Sequence, residues 1–152
     1  MDKMFNAILE MAGFDVKDVR LLRHKDRRAK KNRTPYELWQ KDLPKFELYQ
    51  AKQSFENESR LKARYWASFV GTPDKETLFV GIYEILSVRV LERDMPLVYE
   101  DGVDKAGSCN FYDLVLDPRL NEQIGKMIIE WGPGYRSWIQ RSDRQNKQII
   151  RY

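Results

Sequence analysis

Short runs of alternating aromatic and aliphatic residues, separated by turns, recur along the chain after residue 62. The clearest pair is Tyr65 to Val70 and Thr77 to Ile85, which flank the turn sequence Gly71-Thr72-Pro73-Asp74. Runs of this kind on either side of a Gly-Pro turn predict an antiparallel hairpin, which could extend through Leu91. Further strand-like runs follow at residues 96–99, 111–116, 126–131 and 137–140. Their spacing favours a small, mostly antiparallel curved sheet or β barrel over a parallel sheet.

The N-terminal third is patterned for helices instead. Residues 1–13 carry apolar side chains at helical spacing and end in a glycine, so we predict an N-terminal helix there. Thr34-Pro35-Tyr36-Glu37 predicts another helix start, because threonine can cap it, proline suits its first turn and glutamate completes a capping box. A further amphipathic helix is expected from Phe46 to about Arg60. We therefore expect an α+β fold, and 152 residues suit a single domain over 1–152.

Lysine and arginine are concentrated between Lys17 and Arg33. Nine of these seventeen positions are basic and two are acidic, which gives the segment a charge of +7 against +4 for the whole chain. Such a concentration favours polyanions, chiefly nucleic acid or an anionic membrane surface. We expect residues 17–33 to form an exposed basic arm or loop, with a short strand beginning near Val19. Phosphate contacts are predicted for Arg20, Arg23, Lys25, Arg27, Arg28, Lys30, Lys31 and Arg33.

The rest of the composition indicates a cytoplasmic protein without a cofactor. No apolar stretch approaches the length of a membrane span, and the N-terminus lacks a secretory pattern. The single cysteine, Cys109, suits a reducing compartment. One cysteine and one histidine are too few for a zinc site, so neither a metal nor another cofactor is expected.

Two patterns that resemble nuclease sites lack the partners that their chemistry needs. Gly81-Ile82-Tyr83 spells the first half of the GIY-YIG nuclease signature, but no Tyr-Ile-Gly triplet follows it at the required distance. Asp74, Glu76 and Glu84 could be metal-binding carboxylates, but the Glu-x-Lys pattern of another nuclease class does not follow them. We therefore expect a protein that is not an enzyme.

Aromatic rings and a guanidinium group surround a glycine turn near the C-terminus, in Trp131-Gly132-Pro133-Gly134-Tyr135-Arg136-Ser137-Trp138. The tyrosine, the arginine and the second tryptophan suit stacking on a nucleobase, where each stack is worth roughly 1–3 kcal/mol. The first tryptophan is better explained as part of the core. Trp66 and Tyr83 remain open to both interpretations, because aromatic residues in strands usually face the core. Trp66 and Ser68 share a strand face, which would offer a ring beside a hydroxyl donor.

The order of these segments resembles the N-terminal region of bacterial proteins of the GIY-YIG nuclease family. The resemblance covers roughly residues 14–145 and is carried by Val19 to Asp26, Arg33 to Trp39, Phe46 to Gln50, Trp66 to Val70, Leu78 to Tyr83 and Arg136 to Arg141. In those proteins the nuclease module follows this region. The metal-binding residues of that module are absent from this chain, so the resemblance implies no cleavage activity.

That region is similar in pattern to the PUA-like superfamily, whose small β barrels include the SRA, EVE and YTH readers of modified bases. Such domains hold a nucleotide, turned out of its stack, between aromatic rings. The resemblance implies a base pocket formed by Trp66, Ser68, Tyr83 and Trp138, with Tyr135 beside them and Arg136 near a phosphate. It also implies the targeting part of a modification-dependent restriction system.

The leading hypothesis is a non-catalytic nucleic-acid-binding module that reads modified DNA bases with an aromatic pocket. Its expected partners are nucleic acid, with DNA favoured over RNA, and a fused or separate nuclease module, but not a membrane. An RNA-binding PUA-like domain and a protein-interaction domain in phage defence stay open as alternatives.

Overall fold

The computed structural model describes residues 4–25, 33–91, 98–99, 102–103, 109–132 and 138–152. The α-helices in these ranges are α1 (Phe5–Met11), α2 (Pro35–Lys41), α3 (Leu43–Ala51) and α4 (Glu58–Leu61). Short 3₁₀ helices lie at Val16–Asp18, Phe55–Asn57 and Pro118–Gln123. The strands are β1 (Val19–His24), β2 (Lys52–Gln53), β3 (Tyr65–Gly71), β4 (Thr77–Leu91), β5 (Val98–Tyr99), β6 (Gly102–Val103), β7 (Cys109–Asp117), β8 (Ile128–Ile129), β9 (Ile139–Arg141) and β10 (Ile149–Arg151).

The sheet is curled into a half-barrel, and the helices lie in the N-terminal part of the chain. Eight strands form it, with the order β10-β8-β4-β3-β1-β9; β7 pairs with β4 and β2 pairs with β7. The pairing of β1 with β3 is parallel, and the other pairs of this sheet are antiparallel. Strands β5 and β6 pair with each other separately. The expected α+β fold with a mostly antiparallel curved sheet is thus confirmed, including the hairpin of β3 and β4.

The N-terminal part of the predicted basic arm is a strand of the sheet. β1 lies between β3 and β9, and Val19, Leu21 and Leu22 are fully buried. The short strand expected near Val19 is therefore confirmed, and the exposed arm or loop expected over 17–33 is wrong for Arg23 and His24, because the strand continues through them. Residues 26–32 of the predicted arm lie outside the described residues.

The helix signals were local and were mostly read correctly. α1 buries Phe5 and Leu9, and Gly13 with φ +90° follows it, as the predicted helix stop requires. At the start of α2 the backbone N–H of Glu37 donates to the Thr34 hydroxyl at 3.1 Å, which is the predicted cap. The helix predicted from Phe46 to Arg60 is instead divided, since α3 ends at Ala51 and β2 follows directly.

Both faces of the sheet are covered by apolar packing around β3 and the first part of β4. On one face, Phe5 and Leu9 of α1 pack against the neighbouring rings of Phe69 and Phe79. Leu38 and Phe46, from α2 and α3, belong to a second cluster with Val70, Leu78, Val80 and Ile128. A third cluster joins Trp66 to Leu22, Leu61, Tyr112 and Ile139. The middle of the sheet is therefore closed to solvent, and an open site has to lie where strands end.

Candidate nucleic-acid interface

Trp66, predicted to line the base pocket, belongs to the hydrophobic core. Its side chain is 0% exposed and its ring lies 4.6 Å, centroid to centroid, from that of Tyr112. The indole N–H donates to the carbonyl oxygen of Leu61 at 3.0 Å, so its polar atom also has an internal partner. Because neither ring face is free, the predicted contact between Trp66 and a base is wrong.

Tyr83 and Ser68 are buried with it. Tyr83 lies opposite Trp66 in the pairing of β4 with β3 and is 2% exposed, and its hydroxyl donates to the Glu47 carboxylate at 2.8 Å. Burial, together with that carboxylate, raises the pKa of Tyr83 far above its usual range. Ser68 is 0% exposed and its hydroxyl donates to the amide oxygen of Gln50. The pattern placed these side chains on one face, but helices and loops cover that face.

His24, in the middle of the basic run, is a core residue as well. Its Nε2 lies 2.9 Å from the same Gln50 oxygen, and its ring meets the rings of Phe46 and Tyr49 edge to face at 5.5 and 5.6 Å between centroids. Desolvation lowers the pKa of His24 from 6.5 to about 4. The imidazole is therefore neutral at pH 7 and adds no charge to the basic segment.

An open cleft does lie at the end of the sheet where β1 and β8 stop and where β4 and β9 begin. It encloses about 100 Å³. Its walls come from five parts of the chain, and the lining residues are Arg23, Lys25, Lys75, Thr77, Glu130, Trp131, Gly132 and Trp138. We call this site the basic cleft. Three of the predicted site residues, Arg23, Lys25 and Trp138, meet in it.

Arg23 is fixed in the basic cleft by two hydrogen bonds. Its side-chain Nε donates to the Thr77 hydroxyl at 2.8 Å, and its backbone N–H donates to the carbonyl oxygen of Trp138 at 2.9 Å. Thr77, the first residue of β4, is itself 4% exposed. The guanidinium group is thus held at the strand end by a buried hydroxyl, which limits the side-chain entropy that it can lose on binding a ligand.

The other two cations come from exposed backbone beside the strand ends. Lys25 follows β1 and is exposed. Lys75 lies in the turn between β3 and β4, where its φ of 65° is unusual for a residue other than glycine. Its backbone N–H donates to the Thr72 carbonyl oxygen at 2.9 Å, which holds the turn. Sequence reasoning missed Lys75, because only the hairpin turn brings it to the end of β1.

Two indole rings complete the walls. Trp131 is 7% exposed and packs against Phe69, with 6.0 Å between ring centroids, whereas Trp138 is partly exposed. Behind Trp131 lies Lys147, which is 5% exposed. Its ammonium group donates to the Trp131 carbonyl oxygen at 2.7 Å and lies 4.6 Å from the ring centroid, which is cation–π geometry. Lys147 does not line the basic cleft itself, and its contacts with Trp131 were not expected from the sequence.

Among the described lining residues three cations face one carboxylate, that of Glu130. An excess of positive charge in a concave site concentrates anionic ligands, because low-dielectric walls focus the field. The basic cleft can therefore hold a phosphate and place a planar group against Trp138. Cations and an indole ring thus meet at the strand ends and not at Trp66 and Tyr83.

Two further predicted phosphate contacts are described, Arg20 and Arg33, and neither lines the basic cleft. Arg20 lies at the start of β1, and its Nε donates to the Arg60 carbonyl oxygen at 3.2 Å. Partial burial and the nearby Arg141 lower the pKa of Arg20. Arg33 is described but does not line the cleft. The other predicted residues lie outside the described ones, and these are Arg27, Arg28, Lys30, Lys31, Tyr135 and Arg136.

Two of the three acidic residues considered as metal ligands, Glu76 and Glu84, are paired with arginine. Glu84 accepts a hydrogen bond from Arg64 at 3.2 Å, and Glu76 forms an ion pair with Arg151. Within the described ranges, no group of three His, Cys, Asp or Glu side chains is placed to hold a metal ion. Over the same residues, no helix has the length and apolar character needed to cross a membrane.

Comparison of the chain with protein-family models, with curated proteins and with solved structures found no match. The resemblance to the N-terminal region of GIY-YIG family proteins, and through it to PUA-like readers, therefore stays a prediction. What the chain does has to be argued from the basic cleft.

Proposed function

We propose that this chain is a non-catalytic nucleic-acid-binding domain that holds its ligand in the basic cleft. The observation that carries the proposal is the meeting of Arg23, Lys25 and Lys75 with the partly exposed ring of Trp138 at one strand end. Phosphates are bound by charge, whereas bases are held by stacking and by contacts to their edges. The basic cleft offers both kinds of group within one small volume.

Each cation has a distinct part in this proposal. Arg23 is positioned by Thr77 and orients the phosphate, because a guanidinium group can donate two parallel hydrogen bonds to it. Lys25 and Lys75 supply further positive charge at the rim. Trp138 supplies the ring on which a base stacks, in place of the buried Trp66.

The test compares two double variants that remove the same charge. Lys25→Ser with Lys75→Ser alters the basic cleft, and Lys62→Ser with Lys126→Ser removes two lysines elsewhere. Fluorescence polarisation with labelled oligonucleotides at several salt concentrations measures affinity and its salt dependence. We expect the cleft variant to bind about tenfold or more weakly and to lose roughly 1.4–1.8 from the slope of log K against log salt.

The control variant should keep nearly the affinity and slope of the unmodified protein. An equal loss in both double variants would show that only net charge matters and would overturn the assignment to the basic cleft. Circular dichroism of all the variants checks that each is folded.

The nature of the nucleic acid is addressed with matched oligonucleotides. DNA and RNA of one sequence, each with and without modified cytosine or adenine, are compared at fixed salt. A domain that targets a nuclease module to modified DNA should bind DNA more tightly than RNA. It should also bind one modified base more tightly than the unmodified base. Equal affinity for every modified and unmodified probe would contradict the recognition of modified bases. The domain would then bind nucleic acid without regard to base modification.

A protein-interaction role has one observation in its favour. Aliphatic side chains are exposed along the ribbon of β4 and β7, where Leu86 is 63%, Val90 55%, Val88 47% and Val115 45% exposed. Exposed apolar residues that are neighbours on a sheet are typical of contact surfaces. If this were the main function, Val88→Thr with Val90→Thr would abolish association with a protein partner, and the cleft variants would not affect it.

A further inference from the structure

Glu130 is a carboxylate in a cationic site and has no side-chain partner among the described residues. It follows β8 directly, lines the basic cleft with Arg23, Lys25 and Lys75, and has an exposed side chain. Its backbone N–H donates to the Gln148 carbonyl oxygen at 2.8 Å, which fixes its position beside the sheet. Its carboxylate forms neither a hydrogen bond nor an ion pair with any residue in the described part of the chain.

Several carboxylates elsewhere in the described structure are paired with arginine. Glu84 pairs with Arg64, Asp117 with Arg119 and Asp143 with Arg141, at nitrogen–oxygen distances between 2.9 and 3.2 Å. Glu130 lies in a cleft with three cations and pairs with none of those described. Its oxygens are therefore available to accept hydrogen bonds from a ligand.

A carboxylate limits the part of a nucleotide that it can contact. It repels phosphate, so the backbone of a bound strand has to lie toward the cations. It accepts hydrogen bonds only, so the group that approaches it has to present N–H or O–H donors. Inside a DNA strand the sugar has no free hydroxyl group, so when the phosphate lies on the cationic side the groups that meet this condition are the donors on the edge of the base.

The geometry points to Glu130 as the residue that selects the base, with guanine as the preferred class. This inference rests on the proposed binding of nucleic acid in the basic cleft. Guanine presents two adjacent donors, N1–H and the N2 amino group, which can bind both oxygens of one carboxylate. Cytosine and adenine present a single amino group. In thymine and uracil the N3–H donor lies between two carbonyl oxygens, which repel a carboxylate.

The experiment uses single-stranded thymine oligonucleotides in which the central base is replaced by guanine, cytosine or adenine. A single guanine in this background forms no four-stranded structure. Affinities are measured for the unmodified protein, for Glu130→Gln and for the matched control Glu122→Gln, which changes an exposed carboxylate outside the basic cleft. We expect the unmodified protein and the control to bind the guanine probe about tenfold more tightly than the all-thymine probe.

In Glu130→Gln the affinities for the guanine and all-thymine probes should differ by no more than about twofold. This variant should bind the all-thymine probe at least as tightly as the unmodified protein does, because a repulsive charge is gone. Equal affinities of the unmodified protein for the four probes, or a ratio that survives Glu130→Gln, would overturn the selection by Glu130 and leave the proposed function standing. Absence of binding to any probe would overturn both.

Discussion

Two pairs of aromatic residues, Trp66 with Tyr83 and Trp131 with Trp138, occupy contrasting places on one sheet. The first pair faces each other across the pairing of β3 with β4 and is covered, with 0% and 2% of the side chains exposed. The second pair lines the basic cleft at the strand ends, where Trp131 is 7% exposed and Trp138 is partly exposed. The residue types are alike, so what covers each ring decides whether it packs in the core, as Trp131 also does, or keeps an exposed part for a ligand, as Trp138 does.

The polar groups beside the two pairs of rings also differ. Beside Trp66 and Tyr83, the polar partners are turned inward: Tyr83 donates to Glu47, and Ser68 to Gln50. Beside Trp138, the cations of the basic cleft face an open volume. A buried polar group stabilises a fold only when it is satisfied internally, whereas a binding group has to keep part of its hydrogen-bonding capacity for the ligand.

The largest effect that separates the pairs is expected from Trp66→Ala. The substitution removes a fully buried ring and its hydrogen bond to Leu61, so the free energy of unfolding should fall by about 3–5 kcal/mol. Urea denaturation followed by circular dichroism measures this. Trp66→Phe, which keeps most of the apolar volume, should restore much of the loss.

The same variants test the absence of Trp66 from the binding site. The folded fraction of Trp66→Phe should bind oligonucleotides with unchanged affinity. A stable Trp66→Ala protein with weakened binding would reverse the comparison and return Trp66 to the ligand pocket.

A pH effect of about 2 kcal/mol is expected from His24. Because burial lowers the pKa of folded His24 from 6.5 to about 4, the unfolded chain binds its proton first as the pH falls. The contribution of the neutral imidazole is fully present above about pH 6.5 and is lost between there and about pH 4. Moving from about pH 7.5 to about pH 5 should therefore lower the free energy of unfolding by about 2 kcal/mol.

His24→Gln isolates this contribution, since glutamine does not titrate. The variant should lack that part of the pH dependence, whatever its stability at neutral pH. A pH dependence identical in the two proteins would place His24 in contact with solvent, and the basic segment would then extend through it.

Much of the fold could be predicted from the sequence because its signals are local. The cap at Thr34 and the hairpin turn between β3 and β4 depend on neighbours within a few residues, and both are present. The strand beginning near Val19 was expected because Val19, Leu21 and Leu22 are aliphatic, and β1 is present there. Its continuation through Arg23 and His24 was not expected, because long basic side chains at partly buried positions resemble those of an exposed arm.

The basic cleft could be predicted only in part, because distant segments build it. Arg23, Lys25 and Trp138 were identified by type, since a cation and a ring suggest their own chemistry. Lys75 and Glu130 carried no local signal, and the register of β4 with β3 and β8 is what brings them together. Trp66 and Tyr83 were misassigned because alternation shows that residues share a face, but not whether that face is covered.

The smallest effect is expected from substitution of Trp138, the partly exposed ring of the second pair. Trp138→Ala removes one stacking ring, so oligonucleotide affinity should fall by about tenfold, equivalent to roughly 1.4 kcal/mol. Its stability should fall less than that of Trp66→Ala, because Trp138 is partly exposed and its carbonyl bond to Arg23 involves only the backbone. Fluorescence polarisation and urea denaturation measure the two quantities, and Trp138→Phe should recover most of the affinity. If Trp138→Ala kept its affinity and lost as much stability as Trp66→Ala, Trp138 would be a core residue like Trp66. The basic cleft would then bind its ligand through its charged groups only.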